Sequence, residues 1–279
     1  ITVDSAAEER IIELGNVHND PLDPSPIRLQ LSNREASVVS AWLRDFKDRL
    51  DSQDRYQLVR PVELGGRVHY SFPTESVTID QQQIPLRGLN WQVRPPDEGR
   101  PLAQEFWIEV LKDGEPLLRM IKTYSLKEQA VGNGHSDLDL TLEFQNLSPS
   151  AINVIATQWG PVGVGKAGEE SQDSRRVTAG LAHEGGVTAE YYPHAKLDGN
   201  PPFKELIKGG SRILEWVAVA NKFFAVIVAP LPSGDQPWIA DARATRFAGS
   251  VSDVDNDTFR LVTMTLAVPP GGQVSRGLD

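Results

Sequence analysis

Cysteine is absent from the 279 residues, which removes disulfides, thiolate metal ligands and thiol nucleophiles together. Any Lys/Arg-rich run is missing as well. With 28 basic residues against 38 acidic ones the net charge is −10, and such a chain repels a phosphate backbone. Nucleic acid is therefore not an expected partner. The same charge disfavours docking on anionic lipid headgroups, although a tethered domain stays near a membrane whatever its charge. An uninterrupted membrane-spanning run is also lacking. Ile213 to Leu231 has nearly the length that a hydrocarbon core of roughly 30 Å requires, but Glu215 and Asn221-Lys222 divide it. A charge at mid-bilayer depth costs at least about 2.5 to 3.5 kcal/mol. The stretch reads instead as two buried strands, Ile213 to Ala220 and Phe223 to Ala229, set between Gly209-Gly210 and Pro230-Leu231-Pro232.

What the chain does have is a core-forming share of hydrophobic residues, 39%, with 23 Gly and 20 Pro spread along its length. That distribution suits many strands joined by turns, and predicts one mainly all-β domain over residues 1–279. Residues 1–26 form an acidic, partly ordered leader with Ile11 to Leu14 as a first strand. Ile1 rather than Met opens the chain, which therefore reads as a piece of something longer. Ile27 to Leu31 alternates with period two, Ser32-Asn33 punctuates, and Ala36 to Leu43 completes a hairpin. The spacing of Trp42, Leu43, Phe46 and Leu50 leaves, as the lesser alternative, an amphipathic helix opening there and running through Lys47 to Arg55. Val77 to Ile79 reads as an edge strand. Asp113-Gly114 between Phe106 to Leu111 and Leu117 to Leu126 signals a type I′ hairpin. Leu138, Leu140, Leu142 and Phe144 alternate with polar residues, as on a strand with one face in water. Ala151 to Trp159 follows as a strand. Gly160 to Pro202 reads as long loops with short strand candidates at Arg176 to Ala182 and Val187 to Tyr192. Trp238 to Arg246 and Phe259 to Val268 add strands, the second with Val262, Met264, Leu266 and Val268 on one face. Pro269-Pro270-Gly271-Gly272 is expected to close the last full strand.

Several of these segments carry a resemblance. Ile121-Lys122-Thr123-Tyr124-Ser125-Leu126 followed by Asp137 to Asn146, then Trp159-Gly160-Pro161-Val162-Gly163, then Trp216-Val217-Ala218-Val219 with Asn221-Lys222-Phe223-Phe224-Ala225 and Pro230, stand in an order and spacing similar to the large periplasmic domain of YidC-type (YidC/Oxa/Alb family) membrane protein insertases. Leu29 to Val39, with Ser32-Asn33-Arg34-Glu35-Ala36, resembles that family's opening strands. No single motif is specific; their order carries the likeness over most of the chain. Two departures stand out: a Gly-Lys-Ala-Gly-Glu-Glu segment inside Val164 to Arg175, and the missing membrane segments. The resemblance implies a galactose-mutarotase-like β-supersandwich, two large antiparallel sheets packed face to face with few short helices.

A mutarotase-like fold raises the question of sugar chemistry, which needs a histidine to protonate the ring oxygen and a carboxylate to take the anomeric proton. Of His18, His69, His135, His183 and His194, the candidates are His135, His183 or His194 with Glu184 or Glu190. Fold does not carry function with it, and loop histidines are the simpler reading. None has a metal-binding spacing. Gly160 to Ala167 approximates a P-loop, but Ala167 stands where a Ser or Thr hydroxyl is needed and no helix pattern follows; it reads as a flexible loop. No cofactor, metal or catalytic set is assigned. Trp216, Phe223 and Phe224 are expected in the core, where each buried aromatic is worth roughly 4 to 6 kcal/mol before entropy. Tyr191 and Tyr192, near Pro193 and Pro201-Pro202, are the candidate groove aromatics.

The expected function, by resemblance, is a non-catalytic domain on the periplasmic face of the bacterial inner membrane, part of a membrane-anchored insertase. It would offer an interaction surface to accessory subunits of the Sec translocon or to inserting membrane proteins. The alternative is a periplasmic carbohydrate-binding protein or an aldose-epimerase-like enzyme.

Overall fold

Alternation of buried and exposed side chains runs through the strands of the computed structural model, which describes residues 1–15, 27–49, 51–95, 97, 99–127, 137–165, 174–197, 202–208, 212–232, 237–246 and 257–279. The first strands are β1 (Thr2–Asp4), β2 (Ile11–Leu14), β3 (Ile27–Ser32), β4 (Ser37–Lys47), β5 (Arg55–Val59), β6 (Val62–Leu64) and β7 (Arg67–His69). Then come β8 (Thr74–Ile79), β9 (Gln82–Pro85), β10 (Gln92–Val93), β11 (Ala103–Lys112), β12 (Glu115–Leu126), β13 (Leu138–Asn146) and β14 (Ile152–Trp159). The last part holds β15 (Arg176–His183), β16 (Gly186–Pro193), β17 (Phe203–Glu205), β18 (Ile213–Ala220) and β19 (Ala225–Val228). It ends with β20 (Ile239–Arg246), β21 (Asp257–Thr263), β22 (Leu266–Val268) and β23 (Gln273–Leu278). Instead of a few short helices, the described residues contain a single 3-10 turn at His194–Lys196.

Two larger sheets dominate: a six-stranded one ordered β1-β11-β12-β13-β23, with β10 also on β11, and a seven-stranded one ordered β17-β20-β21-β14-β8-β9, with β22 also on β14. Two four-stranded sheets, β16-β15-β18-β19 and β2-β3-β4-β5, and the β6-β7 ribbon complete the fold. Asp113 and Gly114 have φ of 54° and 88°, the type I′ turn that matches strand twist. Phe106, Ile108 and Val110 of β11, Met120 and Tyr124 of β12, and Leu140, Leu142 and Phe144 of β13 then fall on one buried face. Lys122 lies on that face too, fully buried. Its ammonium donates to the Phe72 carbonyl, to Thr74 Oγ1 at 3.3 Å and to Gln158 Oε1 at 3.2 Å, tying β12 across the core to β8 and β14. Tyr124 donates its hydroxyl to the Ala36 carbonyl at 2.7 Å, joining the same sheet to the β3–β4 turn.

Several local expectations are corrected. Trp42 to Lys47 extends β4 rather than starting a helix, because ladders on both sides, Ile27 with Leu43 and Lys47 with Arg55, hold it extended. Val77 to Ile79 lies inside its sheet, between β14 and β9. Within Gly160 to Pro202 the two expected short strands are present and each one or two residues longer, β15 and β16, eight residues apiece, paired as a hairpin in continuous register. The run Phe259 to Val268 breaks after Thr263: Met264 turns its N–H to the Trp238 carbonyl and is 43% exposed, off the face of Leu266 and Val268. The Pro269 to Gly272 turn, closed by Gly272 N–H to Pro269 O at 2.9 Å, does not end the strands but feeds β23, which pairs with β13.

Candidate functional site

The hairpin of β18 and β19 turns on Asn221. Its side-chain oxygen accepts the N–H groups of Phe223 and Phe224 at 2.9 and 2.8 Å, and its amide nitrogen donates to the Gly165 carbonyl at 2.8 Å. A polar residue interrupts the apolar stretch because the turn backbone needs its oxygen. The turn tips Phe223 into solvent, 67% exposed, and lays Phe224 against two rings: stacked on Tyr56 at 4.1 Å between centroids and edge-on to Phe46 at 5.1 Å.

Beside this hairpin opens a cavity of about 890 Å³. One wall is the consecutive run Phe223 to Ala229. Facing it are Ile27 and Leu29 of β3, Val38, Ala41 and Leu43 of β4, Leu58 and Val59 of β5, and Leu140 and Leu278. The lining is apolar except for Asp137 and Asp279. A cavity of this size, at the top of the usual range for ligand sites, with so few polar groups, is built to take apolar surface. Ile227, at 57% exposure, stands at its border.

A second region is polar. A cavity of about 480 Å³ is lined by Glu75, Ser76, Gln83, Arg87, Thr157 and Arg260, and one of about 320 Å³ by Arg34, Glu35, Arg67, His69, Tyr70 and Arg87. Arg87 belongs to both, and its guanidinium lies 5.9 Å from the Trp159 ring. Burial, then the cations Arg87, Arg34 and Arg67, push the His69 imidazole below its ordinary pKa, so near neutral pH it is uncharged and holds one donor and one acceptor.

Buried histidine chemistry of another kind sits at His194. Its Nδ1 lies 2.8 and 2.9 Å from the two oxygens of Asp257, and its Nε2 lies 2.8 Å from Arg246 and 3.4 Å from Arg175. Guanidinium groups only donate, so the arrangement assigns the proton to Nδ1, directed at Asp257. All of Arg175, His194 and Asp257 are buried, and none lines the cavities above.

Among the described residues the epimerase candidates do not assemble. His135 and His18 lie outside the described residues. His183 and Glu184 are exposed at the tip of the β15–β16 hairpin, where His183 Nδ1 accepts the Gly185 N–H at 3.0 Å. Glu190 is ion-paired at 3.1 Å with Lys208 and with Arg212, which hold its carboxyl below the usual range. His194 meets Asp257, not either glutamate. Tyr191 and Tyr192 are neighbours on β16 and so point to opposite sides of it. Tyr191 is 64% exposed, and Tyr192 donates to the Glu205 carbonyl at 3.0 Å; neither lines a described cavity. Of the aromatics expected in the core, Trp216 is half-buried over Gly180, and only Phe224 of the Phe pair is covered. The stretch that approximates a P-loop, read as a flexible loop, is packed where it is described: Val162 and Val164 are buried, and Gly163, at φ 74°, presses on the backbone of Arg60. Lys166 and Ala167 lie outside the described residues. Among the described residues no group of three or more His, Asp or Glu is placed to hold a metal ion, and no helix is long and apolar enough to cross a membrane.

Sequence reasoning did not single out His69, Arg87 or the groove residues of β3, β4 and β5. The strands themselves were legible, but their convergence depends on non-local pairing. The one available signal was Phe223, apolar but next to Lys222 at a turn.

No family model matches the chain, and no curated protein matches it. Solved structures do. A galactose mutarotase-like protein from Lactobacillus casei superposes with a TM-score of 0.59 at 12% identity, over 97% of this chain and 99% of that one. A galactose mutarotase related enzyme from Lactobacillus acidophilus gives 0.56 at 9%, over 96% of each chain. A galactose mutarotase-like protein from Clostridium acetobutylicum gives 0.50 at 10%, over 100% and 97%. The chain has the galactose mutarotase-like fold, almost wholly β in antiparallel sheets; at these identities the likeness concerns the fold alone.

Proposed function

We propose that this chain is a binding domain, without chemistry of its own, of a YidC-type membrane protein insertase on the periplasmic face of a bacterial inner membrane. The observation that carries the reading is the apolar groove beside β19: a cavity of about 890 Å³ that offers surface for burial and only Asp137 and Asp279 as polar side chains, a poor setting for acid–base work. The ordered motifs from Ser32 to Pro230 point to the insertase, and the mutarotase-like fold is the one that resemblance implies. The partners on this reading are accessory subunits of the Sec translocon or inserting membrane proteins. Deleting the domain from the membrane-anchored protein should leave insertion of a reporter membrane protein largely intact while loosening co-purification with its partners. Loss of insertion as complete as on removing the membrane helices would overturn the accessory role.

A second reading, a carbohydrate-binding or aldose-epimerase-like protein, is favoured by the names of the similar solved structures and by the paired polar cavities around Arg87, where His69, Glu35 and Glu75 supply a base and carboxylates. Polarimetry on freshly dissolved α-D-glucose and α-D-galactose separates the two. The binding-domain reading expects the spontaneous rate with the chain present; acceleration that Arg87→Ala or His69→Gln abolishes would establish the enzyme.

A further inference from the structure

The four-stranded sheet β16-β15-β18-β19 is apolar on both of its faces. On the inner one Val177, Ala179 and Leu181 of β15 and Val217 and Val219 of β18 are buried. Residues paired directly across strands share a face, so the register names the outer one. Tyr191 lies opposite Thr178, Thr178 opposite Ala218 and Ala218 opposite Ile227, while Val187 lies opposite Ala182 and Ala182 opposite Ile213. Val187 and Tyr191, at 62% and 64% exposure, stand out furthest on this side, and Ile213 and Ile227 are exposed with them. Trp216, half-buried, joins them opposite Gly180. A Cβ at Gly180 would come within 2.3 Å of the indole nitrogen, so the missing side chain lets the ring lie against the sheet and keeps the face level. A sheet with one side in water alternates apolar-in with polar-out, whereas apolar side chains on both sides suit a sheet that is covered on both. A contiguous exposed apolar patch of this kind marks an interaction site.

Charges are ordered along the strands of this face. Arg176, exposed, begins β15 at one end. At the other stand Glu184, exposed in the β15–β16 turn, and Glu215, exposed and the extra residue of the bulge that sets two residues of β18 opposite Gly180. We propose that this face docks on the same face of a second copy of the chain, about a two-fold axis that lies in the interface and runs across the strands. Such an axis turns the strands of the two copies antiparallel, so Arg176 of each copy comes over the carboxylate end of the other, and the patch is complementary to itself. An axis along the strands would set like charges together instead. Sheets pack face to face about 10 Å apart and within about 30° of alignment, which a level face permits. Four strands about 4.8 Å apart, over the span Arg176 to Ala182 at about 3.3 Å per residue, give a patch of about 400 Å² in projection. That is at the lower end of specific interfaces, so the expected dimer is weak, with a Kd on the order of 10 to 100 μM. A bilayer suits the face less well, because membrane-surface faces carry cations on their polar rim and here carboxylates hold one end of a chain of net charge −10. The inference goes beyond the functional readings and holds under either.

Sedimentation velocity tests it on the 279-residue chain, from about 1 to 300 μM in about 0.15 M salt, where charges more than about 8 Å apart are largely screened. A monomer–dimer equilibrium is expected. Tyr191→Glu and Val187→Glu change exposed positions, which leaves the fold intact, and each should weaken association by about tenfold or more. The orientation has a readout of its own. Arg176→Glu should weaken the dimer by about fivefold, and Arg176→Glu combined with Glu215→Arg, which reverses the polarity of the face, should restore it to within about threefold. A chain that stays monomeric over the whole range would overturn the proposal. So would a dimer that both Tyr191→Glu and Val187→Glu leave intact, as one built through a strand edge would be, or a double variant that fails to recover. Binding to vesicles of phosphatidylcholine and phosphatidylglycerol in place of dimerisation, lost in Tyr191→Glu, would assign the face to a membrane and overturn it as well.

Discussion

Lys122 shows how much a single residue can ask of a core. An isolated ammonium in the interior is costly, and among the described residues the Phe72 carbonyl, Thr74 Oγ1 and Gln158 Oε1, not a carboxylate, are its hydrogen-bond partners. Burial lowers its pKa well below the ordinary lysine value, and Glu35 opposes this only from a distance. In the unfolded chain Lys122 keeps a proton up to about pH 10.4, whereas the folded chain gives it up at lower pH. Unfolding therefore takes up a proton between the two values, and stability at this site rises as pH rises through that window and falls as pH falls through it. Wild type should gain on Lys122→Met between pH 7 and 9.5, by up to about 1.4 kcal/mol per pH unit. At pH 9.5 the variant should be the less stable by about 1 to 3 kcal/mol, since it leaves buried acceptors unpaired. Urea titrations of both proteins across that range check it; a difference independent of pH would mean that the lysine stays charged in the fold.

At the scale of elements, the sequence was legible where a period or a turn is local. Asp113-Gly114 and the alternation from Leu138 to Phe144 are self-contained signals, and β11 to β13 follow from them. Ile213 to Ala220 likewise became β18, whose inner residues Val217 and Val219 are buried. Phe223 to Ala229 was legible as a strand but not as an edge. Its apolar composition predicts burial on both sides, and only the topology, β16-β15-β18-β19 with nothing described beyond β19, leaves Ile227 exposed. The helix alternative at Trp42 to Leu50 failed for a related reason. Its 3.6-residue spacing is real, but β3 and β5 supply backbone partners on both sides, and tertiary pairing overrides a weak local preference. β23 escaped because Gln273 to Leu278 mixes polar and small residues, its place being set by β13 rather than by its own hydrophobicity. The candidate site was the least legible part. Its groove joins residues from Ile27 to Asp279, a convergence that no window along the sequence contains.

Over the whole molecule, the sheets are joined by polar pins as well as by apolar burial, and the chain can rely on them because it has no disulfide to do so. Lys122 and Tyr124 connect the six-stranded sheet to its neighbours. His194 performs the same service elsewhere: Arg175 precedes β15, His194 follows β16, Arg246 ends β20 and Asp257 opens β21, so the cluster fastens a four-stranded sheet to the seven-stranded one. The His194 N–H also donates to the Arg175 carbonyl at 2.9 Å, which fixes the turn that presents the ring. Asp257 is an anion that the ring contacts, and it faces two guanidinium groups through the imidazole. Removing one member of a buried ionic arrangement costs about 3 to 5 kcal/mol. Asp257→Asn keeps the shape and removes the charge, so it should lower the urea midpoint by that amount. Because the cluster spans two sheets, amide exchange should quicken in β15–β16 and in β20–β21 together. A loss under about 1 kcal/mol, or exchange that quickens in β21 alone, would show that the cluster decorates the junction instead of holding it.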